Sequence, residues 1–165
     1  MEFLATCVLS TGVFLHSCSS PSNSAQPAAA LVLPSDLLSA SMRDMNGKTL
    51  VIADKLAGGN RVALVFWQAG CSPCRAEAPH LAAASRAYSN LEIIGVVSGP
   101  DESVDAVLLE KTIAELSLPY PTVRDRSLDL TRALDVRGTP TIVVLGAKGQ
   151  VLYQGHKSPD WKALL

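Results

Sequence analysis

Apolar side chains fill every position of residues 62–67 (Val62-Ala63-Leu64-Val65-Phe66-Trp67), a run without alternation that predicts a strand buried on both faces. Residues 91–97 read as a second buried strand, stopped by Ser98-Gly99-Pro100. Between them the period changes: Cys74, Ala78, Leu81, Ala82 and Ser85 recur at helical spacing against Arg75, Glu77 and Arg86. Pro73 fits the first turn of that helix, where a missing N–H costs nothing, whereas Pro79 falls inside it and predicts a kink. Upstream, residues 31–45 mix apolar and polar positions, Asn46-Gly47 supplies turn chemistry, and Thr49-Leu50-Val51-Ile52 follows, which predicts an N-terminal hairpin. Gly58-Gly59-Asn60 then breaks the chain before the first buried strand. Downstream, residues 101–116 read as a helix with Val104, Val107, Leu108 and Ile113 as its buried stripe, and 119–123 as a short extended piece. Residues 128–134 form a short helix, and 141–145 with 149–153 form two strands joined by Ala147-Lys148-Gly149. Ser158 and Pro159 read as the cap and first position of a terminal helix. The alternation of strands and helices predicts an α/β layer fold with a hairpin edge.

Length and charge narrow this picture. A chain of 165 residues has room for one domain with a sizeable core. Fourteen Lys and Arg against fifteen Asp and Glu leave a formal charge of -1, without a basic run, which argues against nucleic acid as a partner. Residues 3–15 are mostly apolar but short for a membrane span, and a Ser-, Pro- and Ala-rich stretch follows to Ala30. The expected organisation is an export signal over 1–18, a flexible tether over 19–34 and a folded domain over 35–165. Leu15-His16-Ser17-Cys18 resembles a bacterial lipoprotein processing site, which implies lipidation of Cys18 and a membrane-tethered domain on the periplasmic side. A plain secretory signal, a single-span anchor and no export stand as the competing readings. Each exported case places the domain in an oxidising compartment.

Cys7 and Cys18 belong to the leader, so Cys71 and Cys74 are the cysteines of the folded body. A bridge across Ser72-Pro73 would restrain the unfolded chain very little, so the pair is better explained by reactivity than by stability. Cys71 precedes the helix, where unsatisfied N–H groups favour a thiolate. Cys74, one turn in, is the expected resolving thiol. Resolution needs a proton acceptor, and Glu77, three residues on, lies on the same face; the competing reading is a solvated Glu answered by Arg75. A second signal is Val136-Arg137-Gly138-Thr139-Pro140-Thr141 ahead of an apolar strand. Proline cannot donate to a central ladder, so Pro140 marks the strand's beginning and is a candidate for a cis bond. Such a bond would hold the backbone of Thr139 beside the cysteines, where a substrate chain could pair with it. A zinc site would want four ligands; His80 on the helix and His156 in the tail supply no close partners, and no metal or other cofactor is expected.

Residues 66–79, Phe66-Trp67-Gln68-Ala69-Gly70-Cys71-Ser72-Pro73-Cys74-Arg75-Ala76-Glu77-Ala78-Pro79, with Gly138-Thr139-Pro140-Thr141 downstream, resemble the TlpA/ResA-type branch of the thioredoxin superfamily. The resemblance runs from about residue 40 to about residue 157. It implies a thioredoxin-like fold: a central mixed sheet flanked by helices, an N-terminal hairpin and a central helical insertion between Leu91 and Tyr120. It also implies an extracytoplasmic thiol-disulfide oxidoreductase of low potential that reduces disulfides in exported proteins, among them apocytochrome c or a metallochaperone, and draws on an upstream membrane thiol reductant. By the same resemblance Trp67 packs by the disulfide, Cys71 is the nucleophile, Cys74 resolves, Glu77 assists proton transfer and Pro140 shapes the substrate groove. Ser72-Pro73 between the cysteines and Gln68-Ala69-Gly70 before them depart from the commoner family residues; these positions adjust thiolate stability and groove shape, so the substrate is not inherited with the family. A peroxidase of the same fold would carry Thr or Ser where Gln68 stands, and a binding module with a structural disulfide is the non-enzymatic alternative. No additional dimerisation domain accompanies the motif, which favours a monomeric reductase over an isomerase.

Overall fold

The two apolar runs lie side by side at the centre of a five-stranded sheet. The computed structural model describes residues 31–165, so the export signal, Cys18 and most of the tether lie outside the described residues. In chain order the described elements begin with α1 (Ser35–Ser39), β1 (Ser41–Arg43), β2 (Thr49–Val51), α2 (Ile52–Leu56), β3 (Arg61–Phe66) and α3 (Ser72–Ala87). They continue with β4 (Leu91–Ser98), α4 (Ala106–Leu116), β5 (Thr122–Asp125), α5 (Asp129–Ala133), β6 (Thr141–Leu145), β7 (Val151–Gly155) and α6 (Trp161–Leu164). The sheet order is β5-β4-β3-β6-β7, with β3–β4 and β4–β5 parallel and β3–β6 and β6–β7 antiparallel. This is a thioredoxin-like α/β fold with a mixed sheet flanked by helices and additional helical insertions.

Side-chain alternation along β3 splits the core into two layers. Val62, Leu64 and Phe66 face one side with Leu50, Ile52, Ile94, Val96 and Leu134; Ala63 and Val65 face the other with Leu81, Ala84, Ile93 and Trp161. Because both faces are covered, β3 carries apolar residues at every position after Arg61, which is why its sequence lacks alternation. The N-terminal hairpin pairs Met42 with Leu50, and its turn is closed by Asp44, whose Oδ1 accepts the N–H groups of Asn46 and Lys48 at 2.9 and 2.8 Å. Gly47, at φ +80°, supplies the left-handed residue of that turn.

Several boundaries differ from the sequence expectation. Ile52 opens α2 instead of extending the strand, and places its side chain fully in the core. The inward residue near the end of α3 is Ala84, with Ser85 half-buried, and the helix continues on both sides of Pro79, which lies on its exposed face. α4 begins later than expected because Asp105 caps it, accepting the Leu108 N–H at 2.9 Å. That start turns Leu109 and Thr112 inward and leaves Val107 77% and Leu108 43% exposed, so only Val104 and Ile113 of the expected stripe pack toward the core. The terminal helix is capped by Asp160, whose carboxylate accepts from Lys162, and not by Ser158. Finally, Leu33 is 1% exposed and its N–H donates to Gly149 O at 2.9 Å, while Val151 donates to Leu31 O at 2.8 Å. The folded unit therefore takes in Leu31–Leu33, which the sequence had grouped with the tether. Among the described residues no helix is long and apolar enough to cross a membrane.

Candidate functional site

The site forms where β3 gives way to α3. Trp67 continues the ladder by donating to Val96 O at 3.0 Å, and the chain then turns so that Cys71 N–H reaches Gln68 O at 3.1 Å. Gln68 pins this turn from its side chain, donating from Nε2 to Ser98 O at 2.9 Å. Cys71 is the N-cap of α3: its Sγ accepts the Cys74 N–H at 3.2 Å, and Pro73 occupies the first turn. Cys71 and Cys74 are joined by a disulfide, with S–S 2.06 Å and Cα atoms 5.2 Å apart. Cys71 is half-buried and Cys74 only 5% exposed, so one sulfur faces outward and the other faces the core. An N–H dipole and the helix N-terminus thus converge on the outer sulfur, the arrangement that stabilises a thiolate once the bond is reduced.

Opposite the disulfide, the Thr139–Pro140 peptide is cis and leads directly into β6. Pro140, Trp67, Cys74, Glu77 and Tyr120 line one cavity of about 10 Å³, the size of a single water. The structure therefore brings four of the sequence-predicted residues, Trp67, Cys74, Glu77 and Pro140, to one point. Ser72 and Pro73 lie on the exposed turn above it, Cys71 packs at its edge beside Trp67, and Thr139 is half-buried just before the proline. Ser72, Pro73 and Thr139 do not line the cavity.

Glu77 is held in an unexpected way. Its Oε1 accepts two hydrogen bonds from Ser158, one from the backbone N–H at 2.8 Å and one from Oγ. Arg75 does not answer it; the guanidinium binds Glu115 on α4 at 2.9 Å and holds that carboxyl below its ordinary value. Tyr120, from the loop before β5, is pushed up to about 12, first by burial and then by the negative charge of Glu77. His156 donates from Nδ1 to Pro140 O at 2.7 Å. Tyr120, His156 and Ser158 were not legible as site residues: their partners lie on distant segments, and nothing in their own neighbourhoods marks them. Two buried polar atoms beside Gly95, Trp67 Nε1 and Thr122 Oγ1, find no hydrogen-bond partner among the described residues.

A family model described as Redoxin matches residues 21–162. The chain belongs to the Redoxin family. This redoxin is 26% identical over 113 residues to the thiol-disulfide oxidoreductase ResA of Halalkalibacterium halodurans, a stretch covering 67% of this chain and 61% of the relative. It is 33% identical over 108 residues to NHL repeat-containing protein 2 of Homo sapiens, covering 60% of this chain and 15% of that protein. The chain thus spans about three fifths or less of the length of these curated relatives. Among solved structures, the thioredoxin domain of thiol-disulfide oxidoreductase BVU-2223 from Bacteroides vulgatus superposes with a TM-score of 0.64 at 25% identity, covering 79% of this chain and 91% of that one. The redoxin carries a redox-capable cysteine pair on a thioredoxin fold and is similar to ResA.

Proposed function

We propose that this redoxin reduces disulfides in exported proteins through a Cys71/Cys74 dithiol-disulfide cycle. The observation that carries the reading is the disulfide at the N-terminus of α3, with the outer sulfur capping the helix and the inner one buried. In the reduced protein the Cys71 thiolate attacks one sulfur of the substrate disulfide. A Cys71–substrate bond forms, and the other substrate sulfur leaves as a thiolate that takes up a proton. Cys74 then loses its proton to Glu77 across the shared cavity, directly or through one water, and attacks Cys71 Sγ. The Cys71–Cys74 bond closes, the second substrate sulfur leaves, and two electrons have passed to the substrate. A dithiol reductant at the membrane returns them.

Within this reading Trp67 packs against the inner sulfur, and Thr139 presents backbone to the substrate at the cis-Pro140 turn. Ser72 and Pro73 form the exposed surface that a substrate meets. Residues 1–18 act as the export signal, Cys18 is the lipidated anchor, and the domain works as a monomer on the periplasmic side. The resemblance to TlpA/ResA-type proteins extends the proposal to apocytochrome c or metallochaperone disulfides.

Trapping tests the core of the proposal. Cys74→Ser should accumulate a mixed disulfide between Cys71 and its substrate, and Cys71→Ser should not; equal capture by the two variants would overturn the assignment. Equilibration with a glutathione or dithiothreitol series decides direction. A potential near roughly -270 mV supports reduction, and one near roughly -120 mV would make the protein an oxidant.

A further inference from the structure

The stretch between β7 and α6 touches both halves of the site. His156 donates to Pro140 O at 2.7 Å, Tyr153 Oη donates to Lys157 O at 2.7 Å, and Ser158 gives both its donors to Glu77 Oε1. Three residues later Trp161 is buried in the core layer beneath α3. Ser158 is thus fixed from both sides, and it is the residue that engages the Glu77 carboxylate. No hydrogen bond among the described residues reaches Oε2.

We propose that Ser158 is a positioning residue for Glu77, holding Oε1 with two donors so that Oε2 is the oxygen that exchanges a proton with Cys74 across the cavity. The inference rests on Glu77 being the proton acceptor. Two donors on one oxygen have two consequences. They fix the carboxylate's rotamer, and they occupy Oε1, which leaves Oε2 as the oxygen that takes the proton as Cys74 resolves the mixed disulfide. Ser158 lies 81 residues from Glu77, so the C-terminal segment completes a site that the cysteine motif begins. The other titratable groups that share a cavity with Glu77 are Cys74 and His80 on its own helix, Tyr88 just past that helix, Tyr120 from the loop before β5, and Lys157 beside Ser158.

The test follows two steps separately in the full domain: formation of a glutathione mixed disulfide on Cys71, which does not use the carboxylate, and its resolution by Cys74, which does. Ser158→Ala keeps the backbone donor and removes the hydroxyl; it should slow resolution about tenfold and leave mixed-disulfide formation unchanged. Ser158→Thr restores a hydroxyl and should return resolution to the wild-type rate, while Glu77→Gln should slow resolution by about a hundredfold. A wild-type rate of resolution in Ser158→Ala alongside slow resolution in Glu77→Gln would overturn the role of Ser158 and leave Glu77 standing. A wild-type rate in Glu77→Gln would overturn the role of Glu77 and this inference together.

Discussion

Gly95 sits in the middle of β4, paired with Val65 on one side and Thr122 on the other, on the sheet face that carries the disulfide. A Cβ at this position would lie 2.7 Å from Thr122 Oγ1 and 2.9 Å from Trp67 Nε1, both closer than real contacts allow. Neither neighbour can yield cheaply, since Thr122 and Trp67 are both buried and the indole is packed with Cys74 and Leu109. Gly95→Ala is therefore an overpacking substitution costing ~1–3 kcal/mol. Loss of glycine's freedom in the unfolded chain offsets about 0.4–1 kcal/mol of this. The centres of these two ranges leave a net loss of about 1.3 kcal/mol, which at a urea slope of about 2 kcal/mol per M lowers the unfolding midpoint by roughly 0.7 M. Gly70→Ala is the control, because a Cβ there meets nothing within 4 Å. It should leave the midpoint unchanged or raise it by roughly 0.2–0.5 M. A Gly95→Ala protein whose midpoint matched the wild type with the same slope would refute the reasoning: Trp67 would then have room to move, and the close packing beside Cys74 would not be what holds it.

Three further outcomes follow from other buried groups. Tyr120 should be the last of the three tyrosines to ionise in an absorbance titration, near pH 12, and Tyr120→Phe should remove that step. Because its folded value lies above its unfolded one, its contribution is complete below pH 10 and is lost as pH rises toward 12. The wild type should lose roughly 2–3 kcal/mol over that window and Tyr120→Phe should not; a last phenol titrating near 10 would sink the prediction. Asp125 is buried and accepts from Thr131 N–H, Thr131 Oγ and the Leu130 N–H, tying the start of α5 to the end of β5. Asp125→Ala strands those donors and should cost about 2 kcal/mol in urea unfolding, whereas a loss below roughly 0.5 kcal/mol would mean water replaces the carboxylate freely. Trp161→Ala should cost about 3 kcal/mol, because the indole is the buried anchor of the final turn; a loss under about 1 kcal/mol would show that α6 docks without it.

Fold and site were legible in the sequence wherever local composition carried the cause. β3 after Arg61 and β4 apart from Glu92 announced themselves because strands buried on both faces run nearly continuous in apolar residues. Cys71, Cys74 and Pro140 stood out because helix start and strand start are marked by their own residues. α4 was harder: Val104, Val107, Leu108, Leu109 and Ile113 are all apolar, so the inward face is decided by where Asp105 starts the helix and not by which residues are oily. Ser158 and Pro159 spell a helix start as well as any pair could, yet Asp160 takes that role because Ser158 is engaged by a carboxylate on α3. Cap propensity is a property of a few neighbouring residues, and it cannot register a competitor 81 positions away. Ile52 failed for a related reason, since a β-branched residue after Thr49-Leu50-Val51 looks like more strand until the core beneath it claims the side chain as the start of α2.

The segment that precedes the first buried strand also touches both margins of the sheet. Leu31–Leu33 hydrogen-bonds along the start of β7, and Asp44 and Met45 bridge to Thr122 and Val123 on β5 at the opposite side. An outer strand with unpaired amides is a template on which another chain can polymerise, and covering it is how proteins suppress such growth. Under the proposed function, disulfide-bearing exported polypeptides come to this surface, which is where that hazard is greatest. By pairing one end of each outer strand with its own backbone, the domain shortens the stretch of open edge it presents.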